Sequence, residues 1–327
     1  MQIAVFATNP SFVGSILEEL KRHHTVEVYE HFSGSDWFNI QNIRTLLDWC
    51  DVAFFDFCHY PLPLVTHMKL LRCKIVARMH GHELYSDAKR IRWEKVDRLI
   101  LTSPMHRKLR NLFGVEVAPV IELPIGVDLK TFTLPRRKRY GKKLCLHATS
   151  IYWKKRVYST IQMFYELLKH DDSWELHIKG QFDASWLGVF GRRYAQNVRE
   201  LIDTLKLSDK VHFSGNVEKP LWAKWLRDKD IYISNSIEEG FHVSLAEAMA
   251  CGVFPVINCW YGAEDYYPRR FICHSESEMI RKILAWDALT KREKKALSLY
   301  CRKWVEKYDE TVIARKIREI IEEVCPR

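Results

Sequence analysis

A chain of 327 residues that is 47% hydrophobic and 28% charged, with 11 Trp and 14 Tyr, has ample material for a core, and its length suits two domains. That composition excludes a disordered chain, and no apolar run is long enough to span a bilayer. The net charge of +10 favours acidic partners such as phosphorylated small molecules, anionic lipid headgroups or nucleic acid, and it suits a soluble protein that is merely basic just as well.

Residues 2–7 (QIAVFA) form an apolar strand with no basic flank before it, so the start of the chain does not read as a signal peptide. A helix over 12–22 follows, then strands at 25–29, 51–57, 73–79 and 98–102, with helical stretches between them. Short, nearly continuous apolar strands alternating with amphipathic helices predict a parallel sheet covered on both faces. At 135–143 (PRRKRYGKK), Pro, Gly and a dense basic cluster mark an interdomain linker. The alternation then restarts, with strands at 144–148, 174–179, 211–213, 230–234 and 253–257 and helices at 155–169 and 193–205. Val157, Ile161, Phe164 and Leu168 recur at helical spacing on the first of these helices. Residues 291–324 read as helices only. The most economical architecture is α/β, with two Rossmann-like units in tandem: 1–134, the linker 135–143, 144–306, and a terminal helix in 307–327. Ligands of such sheets sit outside the carboxyl ends of the strands, which points to the cleft between two such units.

The nine cysteines are scattered, with no C-x-x-C pair, and fit reduced cytoplasmic thiols better than a disulfide framework. Cys73, Cys145 and Cys273, in or beside apolar runs, are expected to act as small hydrophobes.

The strand at 230–234 is followed by NSIEEGFHVSLAEAMACGVFPVI. Glu238 and Glu239 sit in a short polar loop, Gly240 allows a tight turn, and a helix starts near Val243 and ends at Gly252. Such a helix N-terminus offers unpaired N–H groups and a partial positive charge, an anion site suited to a diphosphate. Taken alone, Ser244-Leu245-Ala246-Glu247 also fits a capping box, and Glu239 a solvated loop acid.

The whole stretch resembles the E-x₇-E signature of retaining glycosyltransferases of the GT-B fold, family four, whose usual form is near EGFG-x₃-LEAMA-x-G-x-PV. Glu239 and Glu247 occupy the two glutamate positions. The resemblance implies that Glu239 contacts the transferred sugar and Glu247 the ribose hydroxyls. Backbone amides around Gly240, Phe241, His242, Val243 and Ser244 are implied to meet the diphosphate. His242 stands where the family has glycine. The family's G-R-x₄-K-G loop corresponds to residues 149–156, with Lys155 at the lysine position and Ser150 at the arginine position, so that Lys154 or Arg156 would supply the missing charge. An ammonium at Lys155 would stabilise the leaving diphosphate; a solvated Lys-Lys-Arg run before a helix is the plainer alternative.

Further matches are Gly126-Val127-Asp128 at the close of the first domain, Lys179-Gly180 at a strand end, and residues 212–217, with Asn216 and Val217, as the turn that cradles the base. Gly262-Ala263-Glu264 and the helix at 307–324, which in the family crosses back to the first domain, complete the likeness. In the first domain His80, after a strand, matches a histidine implied to bond the donor sugar. His82 and Glu83 are lesser candidates, and Gly14 is a candidate for a glycine-bearing loop near the phosphates.

The resemblance implies retention at the anomeric carbon. With no pair of residues supplying a covalent nucleophile, the expected route is front-face displacement in which the leaving phosphate accepts the acceptor's proton. The donor is expected to be a UDP- or GDP-sugar, with no cofactor and no metal. Asp228, Lys229 and Asp230 spell the D-x-D of metal-dependent transferases, but at a helix end running into a strand, and the match is read as incidental. The acceptor is expected to be a glycan, a lipid-linked molecule or another hydroxyl compound. Basic runs at 89–95 and 136–143 fit either an anionic membrane surface or plain solvated faces. Alternatives are a transferase acting on nucleic acid, a nucleotide-sugar epimerase of the same fold, and a non-enzymatic binding protein.

Overall fold

In the computed structural model, residues 1–7, 10–30, 40–69, 71–81, 83–103, 115, 118–182 and 187–325 are described. The apolar runs become strands where predicted. β1 (Gln2–Ala7), β2 (Thr25–Glu30), β3 (Val52–Asp56), β4 (Lys74–Met79), β5 (Arg98–Leu101) and β6 (Val120–Glu122) form a parallel sheet ordered β2-β1-β3-β4-β5-β6. Alternate residues feed two cores, as a doubly covered sheet requires. Ala4, Phe6, Ala53 and Phe55 pack with Ile43 and Leu47 of the Ile40–Trp49 helix. Ile3, Val5, Val52 and Phe54 pack with Val13, Ile16 and Leu20 of the Pro10–His23 helix and with Ile313, Ile317 and Ile321 of the Glu310–Val324 helix. The terminal helix thus completes the first unit, and Arg318 clamps it to the Pro10–His23 helix through Glu19 at 3.0 Å.

A second parallel sheet comprises β7 (Lys143–Ser150), β8 (Glu175–Gln181), β9 (Val211–Phe213), β10 (Ile231–Ser234), β11 (Phe254–Asn258) and β12 (Ile272–Cys273), in the order β12-β11-β10-β7-β8-β9. Its strand ends lead into the Val157–Leu168, Gly188–Thr204, Lys219–Arg227 and Val243–Ala250 helices. The first of these begins at Val157 and not at Lys155, because Arg156 takes a left-handed conformation (φ 48°) and Lys155 closes a 3₁₀ turn before it. Strands β6 and β12 were not expected; both are edge strands too short for a period-2 pattern to register.

The chain divides into Met1–Gly126 with Tyr308–Arg327, and Val127–Lys307. The division falls ahead of residue 134, since Arg302 donates to the carbonyl of Leu129 at 3.1 Å and to that of Phe132, holding this segment in the second unit. The basic stretch at 135–143 is also built into that unit. Lys138 donates to the Arg227 and Lys229 carbonyls, Tyr140 lies edge-on to Trp286, and Lys142 pairs with Asp171 and Asp287.

Candidate functional site

β10 and β7 are neighbours, so the loops leaving their carboxyl ends emerge side by side. The two loops are stitched together by the Ile237 amide, which donates to the Lys154 carbonyl at 2.9 Å. That bond sets Lys154 near Glu238 (3.4 Å) and Lys155 on Glu239, with Nζ 2.5 Å from Oε1. The Ser236 hydroxyl donates to the same oxygen at 2.6 Å. Burial would raise the pKa of Glu239, but His242, Lys155 and Ser236 outweigh it and bring it down to about 2. Burial also pushes His242 down to about 4, so its imidazole is neutral at pH 7 and the ammonium of Lys155 is the cation facing Glu239.

The left-handed residue of this loop is His242 (φ 57°), not Gly240, where the turn was expected. A side chain in that conformation needs anchoring. His242 has it: Ser234 Oγ lies 2.8 Å from Nδ1, Tyr232 OH lies 3.4 Å from Nε2, and the Tyr267 hydroxyl donates to the Phe241 and His242 carbonyls. The Phe241 ring is buried against Tyr266 and Tyr267, so any ligand contact at this position falls to its backbone.

His242 is the N-cap of the Val243–Ala250 helix, and its side chain does not cap that terminus. The capping-box alternative fails here. Ser244 bonds Tyr232 OH at 2.8 Å, and Glu247 accepts from Trp222 Nε1 at 2.7 Å. Burial pushes Glu247 up to about 7, against the opposing effects of Trp222 and Lys179, leaving it half-ionised at neutral pH. Lys179, at the end of β8, lies 4.5 Å over the Trp222 ring, and His147 of β7 flanks the same ring at 5.6 Å. A buried indole, an ammonium and a carboxylate able to accept or donate meet beside the helix terminus.

Gly180 follows Lys179 with φ 135°; a Cβ there would fall 1.5 Å from the Ala148 carbonyl oxygen, so only glycine lets β8 pass β7 at this point. Its amide donates to Gly215 at 2.9 Å, fixing the loop after β9 that carries exposed Asn216 and half-buried Val217. Arg156 is turned to Glu276 at 2.8 Å, leaving Lys154 as the cation nearer the Glu238–Glu239 loop; Ser150 ends β7. The D-x-D carboxylates face protein groups: Asp230 Oδ2 accepts from the Gly141 and Lys143 amides while its Oδ1 lies 4.0 Å from Lys138, and Asp228 pairs with Lys143 and Lys229.

The other candidates lie in the first unit. His80 follows β4 with Nε2 2.9 Å from Asp56 Oδ1 and its ring stacked on Phe57 at 3.8 Å. Arg78 donates to the same oxygen at 2.7 Å. Glu83, a lesser candidate, is fully buried and accepts from the Cys58, His80 and Gly81 amides, so it builds the loop that holds His80. His82 lies outside the described residues. Gly14 requires correction: it sits inside the Pro10–His23 helix on an exposed face, where an added Cβ would meet nothing within 4 Å, and not in a loop.

Sequence reasoning brought together Lys155, Glu239, His242 and Glu247 but missed Ser236, Tyr232, Trp222 and His147. Trp222 alone carried a signal, as a large aromatic on a helix that follows a strand end.

The family model described as glycosyl transferases group 1 matches residues 135–303. An alpha-monoglucosyldiacylglycerol synthase of Streptococcus pneumoniae is 25% identical over 175 residues, which cover 50% of this chain and 37% of that protein. The sucrose-phosphate synthase of Thermosynechococcus elongatus superposes with a TM-score of 0.77 at 13% identity, covering 99% of both chains. Anabaena HepE, solved with UDP and glucose, superposes with a TM-score of 0.72 at 15% identity, covering 99% of this chain and 100% of that one. No described helix is long and apolar enough to cross a membrane.

Proposed function

We propose, from the premise that this chain belongs to the glycosyl transferases group 1 family and has the GT-B fold, that it transfers a sugar from a nucleotide-diphosphate donor to a hydroxyl acceptor. The observation that carries this reading is the Lys155–Glu239 pair beside a helix N-terminus that the side chain of its N-cap residue, His242, does not cap. The helix amides and Lys155 would hold the diphosphate, and the charge that develops on it as the glycosidic bond breaks would be met by the same groups. Lys155 would move from Glu239 to the phosphate, releasing Glu239 to bind sugar hydroxyls. Glu247 would accept from the ribose, against the Trp222–Lys179 pair. His80 is assigned to the donor sugar through the resemblance.

We assign the chain to the retaining family four, with front-face displacement, and no metal is invoked because Lys155 and the helix terminus supply the positive charge. The donor is assigned as a UDP- or GDP-sugar, and HepE's complex with UDP and glucose supports UDP. The relative named as an alpha-monoglucosyldiacylglycerol synthase supports a lipid or glycan acceptor. Neither the family match nor these relatives favour a nucleic-acid substrate or an epimerase.

A thermal-shift panel of UDP-, GDP- and ADP-sugars tests the reading. One of them at 100 times its Kd should stabilise the protein by about 2.7 kcal/mol. No shift with any, or an equal shift in Lys155→Ala and Glu247→Ala, would overturn it.

A further inference from the structure

Away from these groups, the opening half of β8 and the edge strand β9 hold a trio that the proposed reaction does not use. Among the described residues, ligand atoms of Glu175, His177 and His212 lie within 4.8 Å of one another. The backbone explains why. Glu175 and His177 are two apart on β8 and so share a face, and His212 of β9 is in register with His177 across the parallel ladder. Both imidazoles turn the same nitrogen to the same carboxylate: Nε2 of His177 is 3.0 Å and Nε2 of His212 is 3.9 Å from Glu175 Oε2. The rings are tilted 35° with centroids 4.8 Å apart.

A single histidine would satisfy that oxygen as an ordinary hydrogen bond. Two imidazoles converging on it from separate strands make a half-built coordination sphere. A tetrahedral zinc with bonds of about 2.0–2.1 Å has ligand atoms about 3.3 Å apart, and the two imidazole–carboxylate separations lie on either side of that value. Burial and charge agree. The His177 side chain is 14% exposed and the other two are 41% exposed, so the ligands are held on one side while solvent reaches the other. Lys229 is paired with Asp228 at 2.9 Å and lies over the Trp225 ring, and among the described residues the ion pairs of Glu175 are with the two imidazoles.

We infer that Glu175, His177 and His212 form a binding site for one borderline divalent cation, Zn²⁺ or its first-row neighbours, that staples edge strand β9 to β8. Two imidazoles and a carboxylate select this class over Mg²⁺ or Ca²⁺, which prefer all-oxygen sets, and a fourth position is left to water.

The test is titration of the full chain with Zn²⁺ by calorimetry, in a Cys259→Ser background that removes the exposed thiol. One equivalent should bind, with a rise in the thermal midpoint, and His177→Ala/His212→Ala should weaken binding at least tenfold. Should that double variant fail to fold, Glu175→Gln and His212→Gln, both at half-exposed positions, carry the same expectation. Trp225 lies 6.4 Å from the His177 ring, so Cu²⁺ should quench tryptophan emission less in Trp225→Phe than in the parent. Binding of Zn²⁺ with unchanged affinity in the histidine and Glu175 variants would overturn the site, as would binding of Mg²⁺ as tightly as Zn²⁺.

Discussion

Each unit sets a buried carboxylate at a strand end or in the loop just after one, facing a cation, yet the two clusters are built for different ends. In the first, Asp56 takes both Arg78 and His80 on one oxygen, and Glu83 takes three backbone amides. In the second, Glu239 takes one ammonium and one hydroxyl, next to a helix terminus that the side chain of its N-cap residue does not cap. Where a guanidinium, an imidazole and backbone amides answer the carboxylates, the charges fix loops, with Asp56 Oδ2 left without a hydrogen-bond partner among the described residues. Where one ammonium answers it beside a hydroxyl and a neutral imidazole, the ammonium can be exchanged for a ligand. Exposure follows the same division: the Arg78 and Asp56 side chains are 2% and 0% exposed, those of Lys155 and Glu239 16% and 11%.

The largest effect expected from this contrast is on stability. Burial raises the pKa of Asp56, but Arg78 and His80 outweigh it and hold the carboxyl well below its usual range. Asp56→Ala would strand the buried guanidinium, at a cost of about 3–5 kcal/mol in urea denaturation. Lys155→Ala should cost clearly less stability, because Ser236 still serves Glu239 and solvent reaches the pair. Equal losses would break the comparison.

The next effect is on turnover. Lys155→Ala should lower it about 100-fold, the usual loss when one donor to developing charge is removed. Asp56→Asn, which keeps the shape of the first cluster but loosens its hold on His80, should lower the melting temperature and lower turnover by less than Lys155→Ala does. A steady-state assay on both variants sharpens the division between a cluster that builds and one that reacts.

Much of this was legible in advance. The strand runs, the helix after β10 and the pairing of Lys155, Glu239 and Glu247 with one sheet edge follow from apolar runs and from loops placed just after strands. What was not legible depends on tertiary partners. Nothing local says that His242, and not Gly240, takes the left-handed conformation, because the anchors of His242 (Ser234, Tyr232 and Tyr267) come from a strand and a distant turn. The basic stretch at 135–143 looked like a linker because its partners Asp171, Asp230 and Asp287 are far away in sequence. Charge runs reveal their solvation only once the fold has placed the opposite charges.

A smaller effect distinguishes the two glutamates of the second unit by pH. The pKa of Glu247 is raised from 4.5 to about 7 by burial, so the folded state holds a proton that the unfolded chain has lost. Its contribution to stability is therefore full below about 4.5, declines as the pH rises to about 7, and is constant above. Glu247→Gln should flatten that decline in pH-dependent denaturation. If the ribose is bound by the ionised form, nucleotide affinity should run the other way, falling roughly tenfold per unit well below that pKa. Glu239, brought down to about 2, should show neither trend over the same range.

The smallest effect bears on the first unit's claim to a phosphate loop. Gly14 sits inside the Pro10–His23 helix, and a Cβ added there meets nothing within 4 Å. Its φ is not in the left-handed region, so glycine brings backbone freedom to the unfolded chain without serving any need of the folded one. Gly14→Ala should therefore stabilise the protein by about 0.5–1 kcal/mol, read as a rise in the denaturation midpoint, with turnover and donor affinity unchanged. A phosphate approaching the backbone at this residue would reverse the result, since the new methyl group would then weaken donor binding while the helix gained stability. The two readouts separate the outcomes cleanly: a stabilised protein with intact donor affinity leaves diphosphate binding to the second unit's helix terminus and to Lys155.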